Sequence, residues 1–183
     1  MEKVTLINGP TLARIARACS MAALLALPLS AAADEYSEVN RLVQARQYAQ
    51  ALTRADQYLA RNPRDPQMRF LRGVIQAESG QRAAAIATYT QLTQEYPELP
   101  EPYNNLAVLY AQQNEYDKAR EALEGAVRAN PQYAVGHENL GDVYVKLASI
   151  AYAKAQQIDA SSPTAPAKLA LVRQLLSTPQ ARR

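Results

Sequence analysis

From Tyr103 the chain sets Leu106, Ala107 and Tyr110 at steps of three and four, which is one face of an α-helix. Gln112 and Gln113 continue that helix, and Asn114 stands where it should stop, a residue type that tolerates left-handed backbone. The pattern restarts with Tyr116, Ala119, Leu123 and Ala126 and closes at Asn130-Pro131. This stretch therefore predicts two amphipathic helices joined by a tight turn. The alternation recurs at a fixed interval: Ala51, Ala85 and Ala119 lie 34 residues apart, as do Pro63, Pro97 and Pro131. Two residue types sharing one period mark an internal repeat. Each Pro falls between one helical pattern and the next, and each Ala occupies a place where a bulky side chain would push two helices apart.

The unit beginning at Pro100 resembles the tetratricopeptide repeat. That family's pattern is filled at eight positions by Tyr103, Leu106, Ala107, Tyr110, Ala119, Leu123, Ala126 and Pro131. The resemblance implies an all-α fold, a right-handed α-solenoid of about 3–4 helix pairs with a C-terminal capping helix. The units divide the chain into residues 34–65, a degenerate N-terminal repeat with Arg46 at its internal turn; 66–99; 100–133; 134–162, a truncated repeat; a capping helix over 163–178; and a tail, 179–183. The unit at Pro66 keeps Gly73, Gly80, Ala85, Tyr89, Leu92 and Pro97 but carries Arg69, Arg72 and Gln76 where apolar residues are usual. Long Arg stems can lie along apolar surface with the guanidinium in water, so both Arg residues read as snorkelling, with Phe70 and Leu71 supplying bulk. In the fourth unit five residues are missing, those of the turn and the start of the second helix. No Gly, Pro or Asn interrupts 142–158, and Leu140, Tyr144, Leu147, Ala151, Ala155 and Ile158 form one apolar stripe, so a single helix over roughly 135–160 is expected. Leu169, Val172, Leu175 and Leu176 then share a face of a last helix that would cover the open end of the stack.

Residues 1–33 stand apart. Lys3, Arg14 and Arg17 precede an apolar run from Ala18 to Leu27, then Pro28 and the small-residue stretch Ser30 to Ala33, the three parts of a secretory signal peptide. Cleavage after Ala33 and delivery to the periplasm, or secretion, are expected; a retained anchor is the alternative, and the run is short for a span. No membrane span is expected after cleavage. With 20 basic and 17 acidic groups the formal charge of +3 is slight and gives no patch of the kind nucleic acid requires. One Cys and one His leave no multi-ligand metal site and no Cys–His chemistry, and no cofactor motif is present. No nucleophile beside a base is recognisable, so no catalytic residue is assigned and enzymatic activity is not expected. His137 stands at an aromatic position of the repeat, which favours packing.

The resemblance implies that the first helix of each pair lines a concave groove. The groove-facing residues in this register are Gln67, Phe70, Leu71, Val74, Ala77 and Glu78 in the second unit, Glu101, Asn104, Asn105, Val108, Ala111 and Gln112 in the third, and Val135, Glu138, Asn139, Asp142, Val145 and Lys146 in the fourth. Of these, Asn104, Asn105, Val108, Gln112, Glu138, Asn139, Asp142 and Lys146 are the candidate partner-binding residues. Asn offers a donor and an acceptor, and the family uses Asn at the places of Asn105 and Asn139 to hold peptide backbone. The family's carboxylate clamp is incomplete, since Asn104 and Glu138 replace its basic residue. The expected role is a non-enzymatic protein-interaction scaffold in the cell envelope that binds a peptide segment or helix of a partner protein. The alternatives are an accessory subunit or chaperone-like holdase of an envelope enzyme complex, and a module that pairs with its own copy through the last helix as a homodimer.

Overall fold

The computed structural model describes residues 34–177; the expected signal peptide and the tail beyond 178 lie outside them. Every regular element among the described residues is helical. The helices are α1 (34–44), α2 (Tyr48–Arg61), α3 (Pro66–Glu78), α4 (Arg82–Glu95), α5 (Pro100–Ala111), α6 (Tyr116–Ala129), α7 (Ala134–Ile158) and α8 (Ala165–Ser177). From α2 onward each packs on the next in chain order, α5 also meets α7, and α1 joins α2 and α3 through Val39 and Leu42. The result is a stack of helix pairs.

What makes pairs is a reversal inside each unit. Arg46, Gly80 and Asn114, spaced 34 apart, have φ of 56°, 80° and 59°. Only this left-handed backbone turns the chain within two residues, and it suits Gly and Asn while straining Arg by about 1 kcal/mol. The bonds at the three turns match: the residue after the left-handed one donates its N–H to the carbonyl five back, Gln47 to Leu42 at 2.9 Å, Gln81 to Gln76 at 2.8 Å and Glu115 to Tyr110 at 3.0 Å. Ala148 holds the fourth place in this series. It is the best helix former and the wrong residue for positive φ, and α7 passes through it without a break for 25 residues.

The unit ends repeat as well. The N–H groups of Asn62, Tyr96 and Asn130 bond the carbonyls of Tyr58, Leu92 and Ala126, and Asp159 does the same to Ala155 at 2.9 Å. The last interval is five residues short of 34, so the second half of α7 is a second-helix ending attached directly to a first helix.

Burial follows the period. Ala51, Ala85 and Ala119 are fully buried. One apolar cluster joins Val39, Leu42, Tyr58, Met68 and Ile75 from α1 to α3, and a second joins Tyr89, Leu92, Leu106, Leu123 and Val143 from α4 to α7. Asp65 fastens the first three helices. Its Oδ1 accepts the N–H groups of Gln67 and Met68 at the start of α3, and its Oδ2 accepts the hydroxyls of Tyr36 (2.5 Å) and Tyr58 (2.8 Å). Burial raises the affinity of that carboxyl for its proton, but these four hydrogen bonds outweigh it and hold the group below the ordinary carboxylate value.

Arg69 departs from the snorkelling expectation. It is 5% exposed and its guanidinium forks onto Glu95 of α4 at 2.5 and 3.2 Å, beside the ring of Tyr96. The position stays polar because a carboxylate one helix away pairs with it, which a pattern read along one helix does not disclose. Arg72 is half-buried and leans toward Asp56 at 3.8 Å. His137 is exposed, with Nε2 2.9 Å from the Pro131 carbonyl oxygen, so it steadies the turn before α7 and contributes nothing to the core.

Relieving the strained turn in Arg46→Gly is expected to raise stability by about 0.5–1 kcal/mol, and Gly80→Ala to lower it by about 1 kcal/mol, in urea denaturation. Asp65→Asn is expected to cost about 2 kcal/mol at neutral pH. Because the Asp65 carboxyl is depressed in the folded state, its contribution is complete above the ordinary value of 3.8 and is lost as the pH falls below it. Stability measured from pH 5 to 2 therefore falls less steeply in Asp65→Asn than in the parent.

Candidate functional site

Because α7 does not turn at Ala148, its second half runs beyond the stack, and α8 folds back along it. Leu169 is buried and Lys168 lies 5.6 Å from the ring of Tyr152 at that contact. The far end of α8 thereby reaches the faces of α5 and α7 that carry the expected groove residues. A recess of about 890 Å³ lies there, lined by Ala107, Val108, Ala111 and Gln112 of α5, Tyr116 and Leu123 of α6, Glu138, Asn139, Asp142, Val143, Val145 and Lys146 of α7, and Leu175 and Leu176 of α8. A second recess of about 370 Å³ lies between α3 and α5 against Val74, Ala77, Glu78, Tyr89, Asn105, Val108, Leu109 and Gln112. Val108 and Gln112 line both, so the two form one trough across three first helices, walled at one end by α8. Val108 is 41% exposed at its centre.

The expected residues divide into two groups. Val108, Gln112, Glu138, Asp142 and Lys146 stand in the trough and are open to solvent. Asn105 lines the smaller recess, and its Nδ2 donates to the Tyr89 hydroxyl oxygen at 3.1 Å. That hydroxyl stays protonated throughout the neutral range, since burial pushes it up to about 12, the nearby Glu78 carboxylate adds to this, and the Asn105 bond pulls the other way. Asn104 is 7% exposed and its Oδ1 accepts from Nδ2 of Asn139 at 2.7 Å. Contrary to the expectation from the register, Asn104 lines neither recess; its bond ties α5 to α7 beside Asn139, which lines the larger one, and occupies one acceptor of Asn104 and one donor of Asn139.

Leu175, Leu176 and Tyr89 were not among the expected groove residues. The signal for the two leucines was present in the five-residue deletion, which extends α7 and sends α8 back; Tyr89 carried only a packing signal. Tyr89 itself is seated by Gly73, since a Cβ at that glycine would stand 2.6 Å from the tyrosine ring.

The chain thus forms a repeat solenoid with an open apolar and amide-lined trough. Two family models, each described as tetratricopeptide repeat, match residues 36–100 and 76–140, together more than half of the chain. The protein belongs to the tetratricopeptide-repeat family. Solved structures agree with that fold. The tetratricopeptide domain of Sgt2 from Aspergillus fumigatus is 20% identical, with a TM-score of 0.59 over 72% of this chain and 84% of that one. A thermophilic tetratricopeptide-repeat protein of Thermus thermophilus, TTC0263, is 22% identical, with a TM-score of 0.57 over 79% and 82%. The Yersinia enterocolitica type III secretion chaperone SycD, solved with a peptide of the translocator YopD, is 18% identical, with a TM-score of 0.57 over 62% and 92%.

Asn139→Ala strands the buried oxygen of Asn104 and is expected to cost about 1–3 kcal/mol in chemical denaturation. Asn105→Ala, at a half-buried side chain that donates to Tyr89 at 3.1 Å and accepts weakly from Asn104 at 3.5 Å, is expected to cost about 1 kcal/mol.

Proposed function

We propose that the protein is a non-enzymatic scaffold of the cell envelope that holds a peptide segment of a partner protein in the trough across α3, α5 and α7. The observation that carries this reading is the trough itself: a hollow side with exposed Val108 at its centre, in a stack whose other apolar residues are mostly consumed by helix contacts. Export rests on the signal-like residues 1–33. SycD, a chaperone of similar fold solved with a peptide of its translocator, supports a peptide as the occupant and lends weight to the holdase alternative. Self-association through the last helix draws on a separate observation, since Leu171 and Leu175 of α8 are 63% and 62% exposed and Ile158 at the end of α7 is 75% exposed.

A photo-crosslinking residue at Val108 or at Gln112 is expected to trap one and the same protein in cells, whereas the same group at exposed Gln94 of α4 traps none of it. Different products from Val108 and Gln112, or the same product from Gln94, refute the trough. The fraction that holds the trapped pair tests the envelope location, with a mature N-terminus at Asp34. A mass of twice the chain in light scattering that returns to one chain with Leu171→Lys and Leu175→Lys would favour the self-associating module.

A further inference from the structure

The trough is more acidic than the chain around it, which is nearly neutral from Asp34 onward, Lys3, Arg14 and Arg17 lying before it. The sequence carries a net formal charge of +3, yet the side chains lining the two recesses include Glu78, Glu138 and Asp142 and, as their basic member, Lys146. Lys146 stands one helical turn beyond Asp142 on α7, the orientation in which an acid and a base offset each other. The remaining acids are set apart: Glu78 closes α3 at one side of the trough, and Glu138 lies on the first turns of α7 at the other. Between them runs an apolar floor with Val108 at its midpoint. Two helix spacings of about 10 Å each, with an offset of about 12 Å along the helix axes between the end of α3 and the start of α7, set Glu78 and Glu138 about 23 Å apart, which an extended chain spans in about seven residues.

We propose that the occupant of the trough is an extended peptide segment with a basic residue at each end of a stretch of about seven residues and an apolar side chain between them. This deepens the proposed function and rests on it. The outer basic residues meet Glu78 and Glu138, and the central side chain enters the gap over Val108, where Ala77 and Ala111 leave room for a branched aliphatic group. An acidic segment would place like charges against both ends of the trough, so sign discriminates between partners more sharply than apolar contact, which many sequences supply.

The test uses the full mature chain and labelled heptapeptides in a Gly/Ser background, followed by fluorescence anisotropy at low and at moderate salt. The probes carry Arg at positions one and seven with Leu at four, Glu in place of both Arg, or Ser in place of Leu. The Arg–Leu–Arg peptide is expected to bind at least tenfold more tightly than the Glu–Leu–Glu peptide, with a difference that shrinks as salt rises. Glu78→Gln and Glu138→Gln, both at exposed positions, are each expected to weaken the basic peptide about threefold to tenfold and to leave the melting curve unchanged. Val108→Asn is expected to weaken the Leu peptide and to leave the Ser peptide unaffected. Equal binding of the acidic and basic peptides with Val108→Asn still weakening both overturns the charge inference and leaves the groove reading in place. Binding of the basic peptide that ignores Val108→Asn and both Gln variants overturns both. If Arg182→Ser with Arg183→Ser in the full chain raises affinity for the basic peptide, the chain's own C-terminal segment is the occupant and the foreign partner is refuted. Loss of a dimer on Val108→Asn would assign the trough to a second copy and refute it likewise.

Discussion

A helix of about fourteen residues, amphipathic and soluble, has nowhere to bury its apolar face unless the chain doubles back on it. The doubling here hangs on one backbone torsion per unit. A single left-handed residue, at 46, 80 and 114, admits the bond from the next N–H to the carbonyl five back and brings the second helix against the first. Once that is done, the small residues Ala51, Ala85 and Ala119 set how closely the pair meets, and the Asn62, Tyr96 and Asn130 corners return the chain for the next unit. Everything on the hollow side follows from this rhythm, because the first helices line up on one face only while the reversals stay in step.

The same constraint explains the end of the stack by its absence. With Ala at position 148 the helical bond pattern has no competitor, and five fewer residues leave no loop to make a reversal. The second-helix half of the fourth unit is then carried out past α6 in line with the first half. At a rise of about 1.5 Å per residue the part of α7 beyond Ala148 extends about 15 Å. α8 lies against that extension, and its last turn comes to the trough through Leu175 and Leu176. A deletion in one repeat has therefore converted a capping helix into a wall of the candidate site.

The fold was legible because its signal is periodic and local. Spacing in sequence alone places Ala85, Leu106, Ala119 and Leu123 in the interior, and they are there. What was not legible depends on residues far apart in the chain. Arg69 looks like a surface residue until Glu95, on the next helix, is seen to accept its fork. Asn105 and Asn139 read as paired ligands for a peptide, yet Asn105 donates to the Tyr89 hydroxyl and Asn139 donates to Asn104, 35 residues before it in the chain. A helical projection says which way a side chain points and is silent about what the neighbouring helix brings to meet it. Arg46 shows the converse: nothing about arginine announces a left-handed turn, and the repeat interval placed one there.

The two ends of the stack are finished differently, and the difference bears on function. At the first end Asp65 gathers the N–H groups of α3 and two tyrosine hydroxyls, so polar groups are satisfied and Val39 and Leu42 are closed over. At the other end the outer face of α7 and α8 leaves Ile150, Ile158, Leu171 and Leu175 open to water. Solenoids need a polar last surface to remain soluble, and the described face of α7 and α8 is instead apolar at these four positions. Leu175 belongs both to that open face and to the wall of the trough. Contact along α8 and occupancy of the trough are thus not independent: whatever packs against one side of that helix acts on the wall that confines the other.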